Sequence, residues 1–178
     1  MFIWKLGTIM LAVGLNVNPT THCDVLTLRW GMTQSYVQAV EPNVVVVNES
    51  VLVEADDVVS GVPAVTLFTF GDDGLDSVSF MATFPVNTSF MKWYSILQRK
   101  YGKSLLFIGT GTAPAGRPTT DDLLQKALTL NDTMGIPLCV EFTVGKRTKI
   151  HLGVVVVSGT EHSDGSATIL SFERMQGE

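Results

Sequence analysis

Apolar and polar residues alternate through two neighbouring stretches in the middle of the chain. The first covers residues 65–70, and the second covers residues 75–84, where Val78, Phe80 and further apolar residues fall on one side. Between them, residues 71–74 read Gly-Asp-Asp-Gly, which is typical of a tight turn. Alternation with a period of two residues indicates strands with one buried face. We therefore predict a β-hairpin at the centre of the fold.

A helical pattern follows the hairpin. Residues 87–89, Asn-Thr-Ser, can cap the start of a helix, and Gly102 can end it. Between them, aromatic and aliphatic residues recur at the spacing of one helical face: Phe90, Trp93, Tyr94, Leu97 and Tyr101. We predict that this face packs on the hairpin and belongs to the core. The alternative is that its aromatic residues form a partner-binding surface.

The rest of the chain repeats this plan of a helix followed by strands. Thr33 can cap a helix over residues 34–41, and Thr120 can cap another helix. β-branched or alternating runs predict strands at residues 44–47, 51–53, 105–108, 138–144, 150–156 and 167–172, with loops at 54–63, 109–120 and 158–165. Helices and strands do not alternate as a parallel sheet requires. The pattern predicts an α+β fold with helices packed on one face of an antiparallel sheet, in two similar halves at about 23–86 and 87–178.

The first 22 residues have the pattern of an export signal. Lys5 supplies positive charge, residues 6–15 are apolar or small, and polar residues follow. The apolar run is shorter than the roughly 20 residues that a membrane-spanning helix needs. We therefore predict a cleaved signal peptide at 1–22, a single mature domain at 23–178, and a periplasmic or secreted protein. The alternative is a buried N-terminal strand or helix.

The chain has two cysteines, Cys23 and Cys139. In an exported protein an even cysteine count favours a disulfide, and a loop of this length would stabilise the fold by about 4–5 kcal/mol. The alternative is two unpaired thiols, with Cys139 buried in a strand. Lipidation of Cys23, which would attach the protein to a membrane, is disfavoured because His22 stands where a small residue is expected.

Composition limits the classes of partner. Of 178 residues, 46% are hydrophobic and 16% are charged, a balance typical of one globular domain. The formal net charge is −5, and the 12 basic residues occur singly or in short pairs. Such a chain offers no basic surface along which a phosphate backbone could bind, so nucleic acid is not expected as a partner.

One pair of residues could carry chemistry. Cys139 and His151 lie on consecutive predicted strands, and that hairpin could place a thiol nucleophile beside an imidazole base. His151 alternates with Ile150 and Leu152, so it should point away from the core. The sequence indicates neither an orienting acid nor an oxyanion hole. A cysteine hydrolase is therefore an alternative and not the leading hypothesis.

The sequence predicts neither a metal site nor a cofactor site. Its three histidines, at positions 22, 151 and 162, lack the close spacing of metal ligands. Residues 111–118 have the glycine spacing of a phosphate-binding loop, but Arg117 replaces the lysine and Pro118 replaces the hydroxyl residue. We interpret this stretch as an ordinary loop.

Three short motifs resemble a family of exported bacterial proteins. They are Gly31-Met32-Thr33 followed by Val37, the run from Phe68 and Phe70 through Asp72-Asp73-Gly74-Leu75 to Val78, and Tyr101-Gly102-Lys103-Ser104. They are similar to motifs of the small outer-membrane-assembly lipoproteins and the β-lactamase-inhibitor-protein-like fold. The resemblance implies helices on one face of an antiparallel sheet, two such halves in tandem, and protein binding without shared catalytic residues.

Together these observations favour an exported, non-enzymatic protein-interaction module of the bacterial cell envelope. Its partner would be a protein that the sequence does not identify. Two other functions stay open. One is an exported cysteine-dependent hydrolase that uses Cys139 and His151, and the other is a carrier of small apolar ligands with a cavity between sheet and helices.

Overall fold

The computed structural model describes residues 28–82, 86–109, 116–144, 148–157 and 165–175. Within these ranges the chain forms three helices: α1 (Gln34–Val40), α2 (Val86–Tyr101) and α3 (Asp121–Met134). It also forms nine strands: β1 (Val45–Asn48), β2 (Val51–Val59), β3 (Val62–Gly71), β4 (Gly74–Ala82), β5 (Leu105–Ile108), β6 (Arg117–Pro118), β7 (Leu138–Val144), β8 (Thr148–Val157) and β9 (Gly165–Arg174).

The nine strands form one sheet in the order β1-β2-β3-β4-β9-β8-β7-β5-β6. Every neighbouring pair is antiparallel. Strands β1 to β4 therefore lie side by side in chain order, and they join the later strands through the pairing of β4 with β9, in which Ser77 lies opposite Glu173 and Met81 lies opposite Ile169. The predicted α+β class with an antiparallel sheet is confirmed, and the sheet dominates the fold.

One face of the sheet is buried along continuous rows of side chains. The first row runs across six strands through Leu52, Phe68, Val78, Phe172, Ile150 and Phe142, each at most 3% exposed. The second runs through Thr66, Phe80, Leu170, Leu152, Val140 and Leu106, also at most 3% exposed. The buried faces of the helices belong to the same core. Burial of these large side chains is the main stabilising contribution to the fold.

The predicted central hairpin is confirmed as β3 and β4, joined by a turn at Asp72 and Asp73. Strand β3 is longer than predicted, and the prediction of a loop at residues 54–63 is wrong. Those residues extend β2 to Val59 and begin β3 at Val62, with a bulge between Glu54 and Asp57. Asp57 is tolerated in a buried position because its carboxylate accepts hydrogen bonds from the Thr66 hydroxyl and the Val58 N–H.

Two predicted helix starts are confirmed by their caps. The Thr33 hydroxyl accepts a hydrogen bond from the Tyr36 N–H, and the Thr120 hydroxyl accepts one from the Leu123 N–H. Asp121 and Asp122 lie in the first turn of α3, where carboxylates favour the helix dipole. The cap predicted at residues 87–89 is wrong, because α2 already begins at Val86.

α2 packs chiefly on β7, β8 and β9, and not on the hairpin that immediately precedes it in the chain. The rings of Tyr94 and Tyr101 both contact the ring of Phe142 on β7. The Phe142 ring centroid lies 6.2 Å from that of Tyr94 and 6.5 Å from that of Tyr101. The long β4–β9 pairing is the physical reason, since it places the later strands beside the hairpin under the same helix layer.

The segment before α1 is bound to the start of β4. The Gly31 N–H donates to the Leu75 carbonyl at 3.0 Å, and the Leu75 N–H donates to the Met32 carbonyl at 2.8 Å. Gly74 has a φ of +93°, and a Cβ atom there would lie 2.5 Å from the Gly31 carbonyl oxygen. This close backbone contact gives a physical reason for the two glycine motifs at residues 31–33 and 72–75.

Part of the loop predicted at residues 109–120 is also wrong, because Arg117 and Pro118 form the short strand β6 against Leu105 and Leu106. Several predictions fall outside the described residues. They concern the signal peptide at 1–22, Cys23, Phe84, the glycine-rich stretch 111–115 and the loop segment 158–164. Among the described residues, the structure contains no helix with the length and apolar character required to cross a membrane.

Candidate functional site

The sheet has a second face, which we call the open face because its side chains stay partly exposed. One row on it contains Val53, Leu67, Ser79, Ser171, His151 and Glu141, which lie opposite one another on six neighbouring strands. A parallel row contains Val65, Met81, Ile169, Gly153, Cys139 and Phe107. None of these residues is buried. An antiparallel sheet commonly has one face packed on the core and the other in contact with solvent.

Three ionisable side chains from three strands meet on this face. The Sγ atom of Cys139 on β7 lies 3.8 Å from Nδ1 of His151 on β8. The Nε2 atom of His151 lies 3.5 Å from a carboxylate oxygen of Glu173 on β9, which forms an ion pair when the imidazole is protonated. The prediction that His151 points away from the core is confirmed, and the structure adds an acid that the sequence had not indicated.

Burial and, to a smaller extent, nearby negative charges disfavour the thiolate form of Cys139. Burial raises the pKa of the Cys139 thiol to about 11, with smaller contributions from the negative charges of Glu141 and Glu173. Glu141 also lies 3.4 Å from the Lys149 amine. A thiol needs a lowered pKa to act as a nucleophile near neutral pH. Cys139 is therefore a neutral thiol in this environment.

A depression of about 240 Å³ lies beside the three ionisable groups. Its walls include the side chains of Phe107, Cys139, His151, Val155 and Ile169. Gly153 lies among them on β8 and has no side chain to fill the space. Its lining is mostly apolar, with the imidazole and the Ser171 hydroxyl as polar groups. The depression can accept one apolar group, and His151 and Ser171 can form a hydrogen bond with a polar atom next to that group.

Sequence reasoning identified Cys139 and His151 but missed Phe107, Gly153, Ile169 and Glu173. Cys139 and His151 lie on one hairpin, so their approach follows from alternation along consecutive strands. The other residues reach the site through the pairing of β5 with β7 and of β8 with β9. That strand order is a tertiary property. A glycine inside an apolar strand was the one available signal, since it often marks a close approach or a gap.

The aromatic residues of α2 lie in the core. Phe90, Trp93 and Tyr94 are 0–2% exposed, and Tyr101 is partly buried against the core. Phe90 and Tyr94 stack on each other with their ring centroids 6.3 Å apart. These side chains are not available as an exposed partner-binding surface.

Cys139 carries a free thiol in the structure, and the proposed disulfide partner, Cys23, lies outside the described residues. The disulfide therefore stays a prediction. In the part of the chain that the structure describes, no group of three or more His, Cys, Asp or Glu side chains could hold a metal ion.

Comparisons with known proteins give this chain no relative: no protein-family model, no curated protein and no solved structure matches it.

Proposed function

We propose that this protein is a non-enzymatic protein-binding module and that a partner docks on the open face of its sheet. The observation that carries the proposal is the contrast between the two faces. One face buries continuous rows of side chains in a core shared with the helices, whereas valine, leucine, isoleucine and methionine side chains stay partly exposed in rows on the other. Contiguous apolar surface on a protein is typical of interaction sites.

The depression beside Gly153 supports a protein partner in preference to a free small molecule. Its volume of about 240 Å³ falls below the range of roughly 300–1,000 Å³ that is typical of small-molecule sites. It suits a single apolar side chain that projects from a partner. An anchor side chain in a pocket is typical of an interface hot spot, and a polar rim is typical of the interface around it. His151 and Ser171 are polar residues of the lining of the depression, and Glu173 lies 3.5 Å from His151.

The proposal includes export to the bacterial envelope, either in the periplasm or outside the cell. It is supported by the signal-like residues 1–22 and by the motifs that resemble envelope proteins. We also propose that the chain consists of two similar halves, at about residues 23–86 and 87–178. Support for this comes from the sheet order, in which β1 to β4 and the later strands form two blocks joined by β4 and β9.

A capture experiment tests the binding function. The full chain is immobilised and exposed to solubilised bacterial envelope as wild type, as Val155→Lys at the rim of the depression, and as Met134→Lys at the exposed end of α3. The two substitutions add the same charge at exposed apolar positions. We expect wild type and Met134→Lys to retain the same partner and Val155→Lys to lose it. Equal retention by both variants would contradict a docking site on the open face.

A second candidate function is a cysteine-dependent hydrolase. The Cys139, His151 and Glu173 contacts favour it, because they have the order of nucleophile, base and orienting acid. The raised pKa of the Cys139 thiol opposes it. Rapid, stoichiometric carbamidomethylation of Cys139 by iodoacetamide at neutral pH would favour the hydrolase over the binding module.

A carrier of small apolar ligands is the third candidate. It requires a cavity between the sheet and the helices, whereas the depression described above opens on the other face of the sheet. Enrichment of a lipid or other apolar compound in extracts of the purified native protein would favour the carrier.

A further inference from the structure

The strand β1 lies at one end of the sheet order and pairs with β2 on one side. Three consecutive valines on it are strongly exposed: Val45 by 65%, Val46 by 50% and Val47 by 60%. Val45 lies opposite Val53 on the open face, and Val46 lies opposite Leu52 on the helix-covered face. β1 therefore exposes apolar side chains on both faces of the sheet edge.

The other end of the sheet has a different character. Its last strand, β6, contains only Arg117 and Pro118. A charged residue, a proline and a very short strand are the usual means of preventing a further strand from pairing with a sheet edge. β1 contains neither a charged residue nor a proline. Among the described residues, two features partly protect this edge: a bulge between Val46 and Asn48, and the Gln34 amide, which donates to the Asn48 carbonyl at 2.9 Å.

The charge of the surrounding chain selects the kind of strand that would pair there. Residues 30–91 contain no lysine or arginine and eight carboxylates, whereas residues 92–178 contain ten basic residues and eight carboxylates. Three of the acids flank β1. Glu41 caps α1 just before the strand, Glu49 lies in the turn to β2, and Glu54 on β2 accepts a hydrogen bond from Asn43.

This charge disfavours a second copy of the chain as the occupant. Pairing of β1 with β1 would bring two acidic surfaces together, and like charges across an interface are repulsive. A four-residue strand also provides only a small part of the roughly 800 Å² per partner that is typical of a stable interface. A peptide segment needs less area, because backbone hydrogen bonds supply much of its affinity in strand addition.

We propose that β1 is a strand-addition site for an extended segment of a partner protein in which lysine or arginine alternates with β-branched apolar residues. The segment pairs with the outer edge of β1, places its apolar side chains beside Val45 on the open face, and extends its basic side chains toward Glu41, Glu49 and Glu54. This site is separate from the depression beside Gly153, so it does not rest on the proposed open-face function.

The probe is a synthetic peptide of sequence Lys-Val-Thr-Val-Lys-Val-Thr, blocked at both ends, with a control peptide in which glutamate replaces each lysine. Binding to the full chain is measured by fluorescence anisotropy, and its location by amide chemical shifts. We expect the basic peptide to bind at least about tenfold more tightly than the acidic peptide, with an affinity that falls as salt rises. Shifts should concentrate at residues 44–48.

Paired variants test the two parts of the proposal. Val47→Lys places a cation on the edge and should weaken binding of the basic peptide by at least about tenfold. Met134→Lys makes the same change of charge on α3 and should not weaken that binding. Glu49→Gln should weaken it by about two- to fivefold, whereas Asp132→Asn on α3 should leave it unchanged. Circular dichroism and urea midpoints confirm that each variant is folded.

Three results would overturn the proposal. The peptides could bind equally well, binding could be unaffected by Val47→Lys, or shifts could appear away from β1. Sedimentation of the full chain tests for self-association. A dimer that Val47→Lys dissociates, without binding of the basic peptide, would identify a second copy as the occupant. Loss of peptide binding in Val47→Lys with intact envelope capture would leave the open-face function standing. Envelope capture that Val155→Lys retains would refute the open-face function alone.

Discussion

Trp93 on α2 donates a hydrogen bond from its indole Nε1 to the carbonyl oxygen of Val59, 3.1 Å away at the end of β2. The indole is 1% exposed. α2 packs chiefly on β7, β8 and β9, so this bond connects the later strands, through the helix, to the end of the second strand. A buried indole N–H requires such a partner.

Trp93→Ala should therefore remove both a large core side chain and this connection. We expect a decrease in the free energy of unfolding of about 3–5 kcal/mol, which is a large part of the 5–15 kcal/mol that is typical of a domain. Gln98→Ala, at an exposed position of the same helix, should cost less than about 0.5 kcal/mol. Urea denaturation of both variants measures the difference. Equally small effects would show that Trp93 does not stabilise the core.

The backbone contact between Gly31 and Gly74 gives a second prediction. Both Gly74 and Gly102 have positive φ angles, +93° and +77°, but a Cβ on Gly74 would lie 2.5 Å from Gly31, whereas one on Gly102 would meet nothing within 4 Å. Gly102→Ala should cost about 1–2 kcal/mol from backbone conformation alone. Gly74→Ala should cost at least about 2 kcal/mol more, because backbone atoms must also move apart. Similar urea midpoints for the two variants would argue against the close contact.

The thiol of Cys139 gives a prediction on pH. Its pKa of about 11 lies above the ordinary value of 9.0, so at pH 8 its iodoacetamide labelling should be roughly 100-fold slower in the folded protein than in urea. The labelled peptide is identified by mass spectrometry to separate Cys139 from Cys23. Because the folded pKa is raised, the contribution of the neutral thiol to stability is complete below about pH 9 and is lost as the pH rises to about 11. Fast labelling of folded protein at pH 8 would contradict the assigned environment.

The buried pair Asp57 and Thr66 tests whether β2 continues through Asp57. Thr66→Val keeps the shape of a fully buried side chain but removes the hydroxyl that donates to the Asp57 carboxylate. We expect a loss of about 1–3 kcal/mol, because a buried carboxylate oxygen then lacks its donor. Thr69→Val, at an exposed position of the same strand, is the matched control and should change stability by less than about 0.5 kcal/mol. If the two variants show the same thermal and urea midpoints, Asp57 is exposed to solvent, as it would be in a loop.

Features that depend on neighbouring residues in the chain could be predicted from the sequence. The β3–β4 hairpin and the caps at Thr33 and Thr120 depend on neighbouring residues, and each was predictable from alternation or cap chemistry. The continuation of β2 through Asp57 was not, because acidic residues normally indicate a loop and the Thr66 donor comes from another strand.

In the candidate site too, some residues could be predicted from the sequence and others could not. Cys139 and His151 are twelve residues apart on one hairpin, and their approach could be anticipated from strand periodicity. Glu173 and Ile169 come from β9, which is placed by pairing with β4 about 90 residues earlier in the chain. Such long-range pairing depends on the whole core and leaves no local signal in the sequence.

The central claim is that a partner docks on the open face, and methyl NMR of the full chain with the captured partner tests it most directly. Ile169, Val155 and Met81 on the open face should shift or broaden, whereas Leu152 and Val140, which are 0% exposed on the opposite face, should change little. Leu130 and Met134 on α3 should also stay unchanged. Changes confined to α3 or to Val45, Val46 and Val47 on β1 would contradict docking on the open face.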